Sequence, residues 1–133
     1  MSKIIVAESA GFCFGVNRAI NILYKLIDEN KPACTLGPII HNMQMVNELR
    51  EKGVRTIDKI SEVKENETIV IRSHGVPQSI VDEINERHLD YIDATCPFVS
   101  KIHKIVSETD DDSIVIIAGD KNHPCLLYTS PSP

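Results

Sequence analysis

With 133 residues, the chain has room for one domain, or for one domain and the opening of another, since domains run to roughly 100–200 residues. Fourteen Lys and Arg against nineteen Asp and Glu leave a net charge of −5, which excludes the broad basic surface that nucleic acid or an anionic membrane needs. An anionic ligand must therefore be held by a local site.

In chain order, Lys3 to Ala7 reads as a strand; the run is too short for an export signal or a membrane span, so the expected location is the cytoplasm. After Gly11-Phe12-Cys13-Phe14-Gly15, the residues Val16, Ala19, Ile20, Leu23 and Ile27 recur at helical spacing. Ala33 to Leu36 is a short apolar strand ended by Gly37-Pro38, and Met45, Val46 and Leu49 line a second helix closed by Gly53. Val54 to Ile57 is a short strand. Thr68 to Ile71 is a clearer one, leading through Ser73-His74-Gly75 to Pro77 and a helix lined by Ile80, Val81 and Ile84. Tyr91 and Ile92 fall in a strand, Pro97 opens a helix lined by Phe98, Ile102, Ile105 and Val106, and Ser113 to Ala118 is a last, β-branched strand. Such alternation predicts an α/β fold with a mostly parallel sheet, flanking helices and right-handed crossovers. The stretch from Cys125 to Pro133 breaks the pattern with Ser-Pro repeats and reads as an appended, non-native tail.

In open parallel sheets, ligands bind beyond the carboxyl ends of the strands. Cys13, His41, His74, Cys96 and His123 each follow a predicted strand and are expected to converge on one rim. Cys34 lies inside a strand, while His88 and His103 are placed on polar helix faces, as structural or surface residues. A cytosolic setting keeps the four cysteines reduced, and no CxxC pair gives a zinc-ribbon or thioredoxin pattern. Cys96 directly before Pro97, and Cys13 between two glycines ahead of a helix, stand where backbone N–H groups favour a thiolate ligand. Histidines beside turns near neutral pH suit an anion such as a diphosphate. The bare chemistry leaves three readings open: a metal or redox enzyme, a cysteine-nucleophile or zinc enzyme, and a non-catalytic anion-binding module.

The ordered segments Gly11-Phe12-Cys13-Phe14-Gly15-Val16, Gly37-Pro38-Ile39-Ile40-His41-Asn42, Arg72-Ser73-His74-Gly75-Val76, Asp93-Ala94-Thr95-Cys96-Pro97 and Gly119-Asp120-Lys121-Asn122-His123-Pro124 resemble the motif series of the 4-hydroxy-3-methylbut-2-enyl diphosphate reductases. The resemblance runs from Met1 to Pro124, under half the family's usual length. It implies a [4Fe–4S] cluster held by three cysteines, two of them matching Cys13 and Cys96, with the third in a later segment. His41, His74 and His123 match the family's diphosphate-binding histidines, and Cys125 stands where the family has a proton-delivering glutamate. The implied reaction is reductive dehydroxylation of an allylic diphosphate to isopentenyl and dimethylallyl diphosphates, fed by a ferredoxin or flavodoxin type of donor. The implied layout is the first of three similar domains: residues 1–13 an opening strand and cysteine loop, 14–96 the first domain, 97–124 the opening of the second, and 125–133 the tail. On this reading the chain by itself is an inactive fragment.

Overall fold

The computed structural model describes residues 3–8, 10–120 and 122. Four strands, β1 (Ala33–Leu36), β2 (Arg55–Ile57), β3 (Thr68–Ile71) and β4 (Tyr91–Asp93), alternate with four helices, α1 (Phe14–Asp28), α2 (Met43–Glu51), α3 (Gln78–Glu86) and α4 (Pro97–Ser107). The strands form one sheet in the order β2-β1-β3-β4, and every pairing is parallel. The predicted α/β class is therefore observed.

Alternation along each strand divides the core between the two faces of the sheet. Ala33 and Val70 face one cluster with Ala19, Ile20, Leu23 and Leu26 of α1 and Leu49 of α2. Cys34, Ile69 and Ile71 face the other with Ile57, Ile60 and Ile84 of α3. The helices owe their faces to the spacing of apolar residues, and α2 also to Asn42, whose side chain accepts from Met45 N at 3.1 Å. Arg55 and the buried Glu67 join strand to loop at 2.8 Å.

Two predicted strands are absent. Lys3–Ala7 and Ser113–Ala118 take no part in any ladder among the described residues, and Ile4, Ile5, Ile114 and Ile116 are 89, 79, 90 and 87% exposed. The side-chain chemistry of both segments suits a strand, but a strand exists only when its backbone groups find a partner edge. Helix α4 forms as expected, yet three of the four residues predicted to line it, Phe98, Ile102 and Ile105, are exposed, Val106 is half-buried, and no residue of α4 is fully buried. Among the described residues, no helix is long and apolar enough to cross a membrane.

Candidate functional site at the carboxyl edge of the sheet

The strand order places a switch between β1 and β3. From β1 the chain crosses through α2 to β2 on one side, and from β3 through α3 to β4 on the other. The loops leaving β1 and β3 consequently diverge and leave a crevice between them, the usual ligand position in such sheets.

His41 and His74 stand on those two loops, and their rings lie 5.2 Å apart between centroids, tilted by 33°. His74 sits in a turn closed by Gly75 N donating to Arg72 O at 3.0 Å, and Gly75 has φ +82, a left-handed value that glycine adopts without strain. The guanidinium of Arg72 reaches over Gly37: its Nη1 lies 2.8 Å from where a Cβ on that glycine would stand. The loop carrying His41 and the strand end carrying His74 are thus held against one another.

Cys96 and the residues just after Cys13 come together beside this pair. Cys13 is the N-cap of α1 and Cys96 the N-cap of α4, with Pro97 at the first helical position. A Cβ on Gly15 would stand 2.7 Å from Cys96 Sγ, so the Cys96 thiol rests against the bare α-carbon two residues after Cys13. Phe14 and Phe98 meet edge to face at 6.4 Å across the same two helix ends. Arg18 of α1 donates to the carbonyls of Thr95 and Asp93, each at 3.3 Å, and Asp93 Oδ1 accepts from Thr95 N at 2.8 Å. Cys96 N in turn donates to Ser73 O at 2.9 Å, which joins the thiol loop to the turn of His74.

His41, His74 and Cys96 follow strands to one rim, Cys13 stands beside it at the start of α1 with no strand before it, and the fifth predicted residue, His123, lies outside the described residues together with Cys125. Among the described residues, no group of three His, Cys, Asp or Glu side chains could by itself hold a metal ion. The donor chemistry nonetheless fits part of an iron-sulfur ligand set. Two reduced thiols stand at adjacent helix N-termini, and one is seated where a side chain at position 15 would displace it.

Cys34, expected to be structural, is fully buried, and burial, helped by the carboxylate of Glu67, pushes its thiol up to about 12. His88 lies in the exposed turn after α3 with φ +55. His103 departs from expectation: it is half-buried on the inner side of α4, with its Cε1 3.3 Å from the Cβ position of Gly75. The inward line Val99, His103 and Val106, spaced by four and three residues, shares Val106 with the predicted stripe.

The family model for the LytB protein matches residues 4–127, three residues past the end of the motif series. The chain is 43% identical over 127 residues to the 4-hydroxy-3-methylbut-2-enyl diphosphate reductase of Clostridioides difficile (strain 630), covering 94% of this chain and 46% of that one. Against the reductase of Aquifex aeolicus the identity is 44% over 131 residues, with coverage of 97% and 45%. A solved structure of (E)-4-hydroxy-3-methyl-but-2-enyl diphosphate reductase, described as the terminal enzyme of the non-mevalonate pathway, matches with a TM-score of 0.79 at 43% identity, covering 97% of this chain and 46% of that one. The reductase from Plasmodium falciparum matches with a TM-score of 0.80 at 29% identity, covering 92% and 39%. The chain spans about half the length of these relatives or less, and it belongs to the LytB family.

Proposed function

We propose that this chain supplies the first cysteine pair and the first diphosphate ligands of a reductase that removes the allylic hydroxyl of 4-hydroxy-3-methylbut-2-enyl diphosphate. The observation that carries the reading is the juxtaposition, at the strand-order switch, of the His41–His74 pair with the Gly15–Cys96 contact. An anion site and a thiol site on one rim match the two ends of such a substrate.

The overall change breaks one C–O bond, forms one C–H bond, consumes two electrons and two protons, and releases water. A [4Fe–4S] cluster, when bound, supplies the electrons and a Lewis-acidic iron for the departing hydroxyl. Cys13 and Cys96 are two of its ligands on this reading. His41 and His74 bind the diphosphate, and their loops hold it at a fixed span from the thiols, because Cys96 N is bonded to Ser73 O. The electrons come from a ferredoxin or flavodoxin type of protein, and His123 completes the diphosphate site.

The test joins these residues to the remaining length of a relative such as the Clostridioides difficile enzyme and purifies the protein without oxygen. Iron-sulfur absorbance and turnover of the hydroxylated diphosphate are expected, and Cys13→Ser or Cys96→Ser should abolish both, because serine is a poor ligand for soft iron. His41→Ala and His74→Ala should chiefly raise KM, by about tenfold for each charge-assisted hydrogen bond lost. Full activity in the Cys96→Ser protein would remove that thiol from the site.

A further inference from the structure

Helix α4 carries two apolar stripes, and a histidine interrupts the inner one. Phe98, Ile102 and Ile105 are 69, 45 and 58% exposed, while Val99, His103 and Val106 on another side are half-buried. A leucine at position 103 would suit such a stripe better than an imidazole does. The His103 Cε1 lies 3.3 Å from the Cβ position of Gly75, and Thr95 Cγ2 and Oγ1 lie 3.4 and 3.5 Å from that same point. The ring therefore stands beside both the turn that carries His74 and the residue before Cys96. Its Nε2, bonded to that Cε1, is buried without a hydrogen-bond partner among the described residues. Leaving such an atom unpaired is costly, so it calls for an explanation.

We propose that His103 is a positioning residue that ties the Ser73-His74-Gly75 turn to the Thr95-Cys96 loop, and that its Nε2 gains a hydrogen bond when an anion settles the turn. The proposal rests on reading His41 and His74 as diphosphate ligands. With φ +82 at Gly75 and the ring this close, a side chain at position 75 would be strained and would press on the imidazole, so a shift of the turn is felt at the ring. The Cys96 N to Ser73 O bond carries such a shift on to the thiol loop.

The experiment titrates the chain, labelled with 15N in its histidine rings, with inorganic pyrophosphate. The Nε2 resonance of His103 is expected to move in step with those of His41 and His74. His103→Leu, which keeps bulk but no nitrogen, should lower pyrophosphate affinity about fivefold, the equivalent of one net hydrogen bond. It should also change the alkylation rate of Cys96 relative to Cys13, while helix content holds and the melting temperature does not fall. His103→Gln, which restores a polar group, should recover both readouts. Unchanged affinity and alkylation in a folded His103→Leu protein overturn the proposal, and so does a His103→Gln protein no better than His103→Leu. If His103→Leu does not fold, the unsubstituted chain decides: a His103 signal that stays still while those of His41 and His74 move overturns the idea. If the unsubstituted chain binds no pyrophosphate, the diphosphate reading fails instead, and the alkylation comparison judges His103 by itself.

Discussion

Thr68–Ile71 and Ser113–Ala118 are built from the same kinds of residue and meet opposite fates. Ile69, Val70 and Ile71 are no more than 1% exposed between two neighbouring strands, whereas Ile114 and Ile116 are 90 and 87% exposed and belong to no ladder among the described residues. Lys3–Ala7 repeats the second case at the other end of the described chain. The difference lies in the partner edges and covering helices that β3 has on both sides and the outer segments do not, since β-propensity largely reports packing on a pleated surface. Strand-forming chemistry is thus necessary for a strand, and a neighbour makes it sufficient.

Ile69→Ala against Ile116→Ala gives that comparison its hardest test. The first should cost about 2–5 kcal/mol of unfolding free energy in urea, through lost burial and a residual cavity, and the second should stay within about 0.5 kcal/mol. Equal costs would mean that Ser113–Ala118 is packed as tightly as β3.

The rim of the sheet should be less sensitive than its core, though still specific. Gly15→Ala forces a methyl to 2.7 Å from Cys96 Sγ, and overpacking of this kind costs about 1–3 kcal/mol. The same substitution should alter the alkylation rate of Cys96 and leave Cys34 unreactive.

Cys34 sharpens the contrast between core and rim through pH. Its folded value of about 12 lies above the ordinary 9.0, so the thiol stays protonated in the fold while the unfolded chain ionises first. Its contribution to stability is therefore intact below pH 9.0 and is lost as the pH climbs through the folded value. The loss is at most about 1.4 kcal/mol per pH unit, and Cys34→Ala should flatten that alkaline limb in melting curves. Asn42→Ala, which removes one cap at the edge of the rim, should cost about 1 kcal/mol and lower the melting temperature only slightly.

The central elements were legible because local signals agreed with tertiary context. Ala33–Leu36 and Thr68–Ile71 have the predicted bounds, and Gly37, Gly53 and Pro97 mark element ends as their backbone chemistry requires. The common rim of His41, His74 and Cys96 followed from topology, since each trails a strand in the same sense, whereas the strand expected before Cys13 does not form and only the start of α1 places that residue. Periodicity could not say which face of α4 turns inward. Two stripes compete there, and the less apolar one, which contains His103, is the half-buried one, with its ring against Gly75. Nor could it supply partners for Lys3–Ala7 and Ser113–Ala118, which depend on contacts outside their own sequence.

The Gly15–Cys96 contact also sets an order of events during synthesis. Cys13 leaves the ribosome roughly 80 residues before Cys96, and at about 5–20 residues per second that interval is on the order of 4–16 seconds. Through that interval the first thiol has no second thiol beside it. Any cofactor needing both must therefore be delivered after β4 has joined the sheet, so the nascent chain cannot be loaded in the order in which it is made.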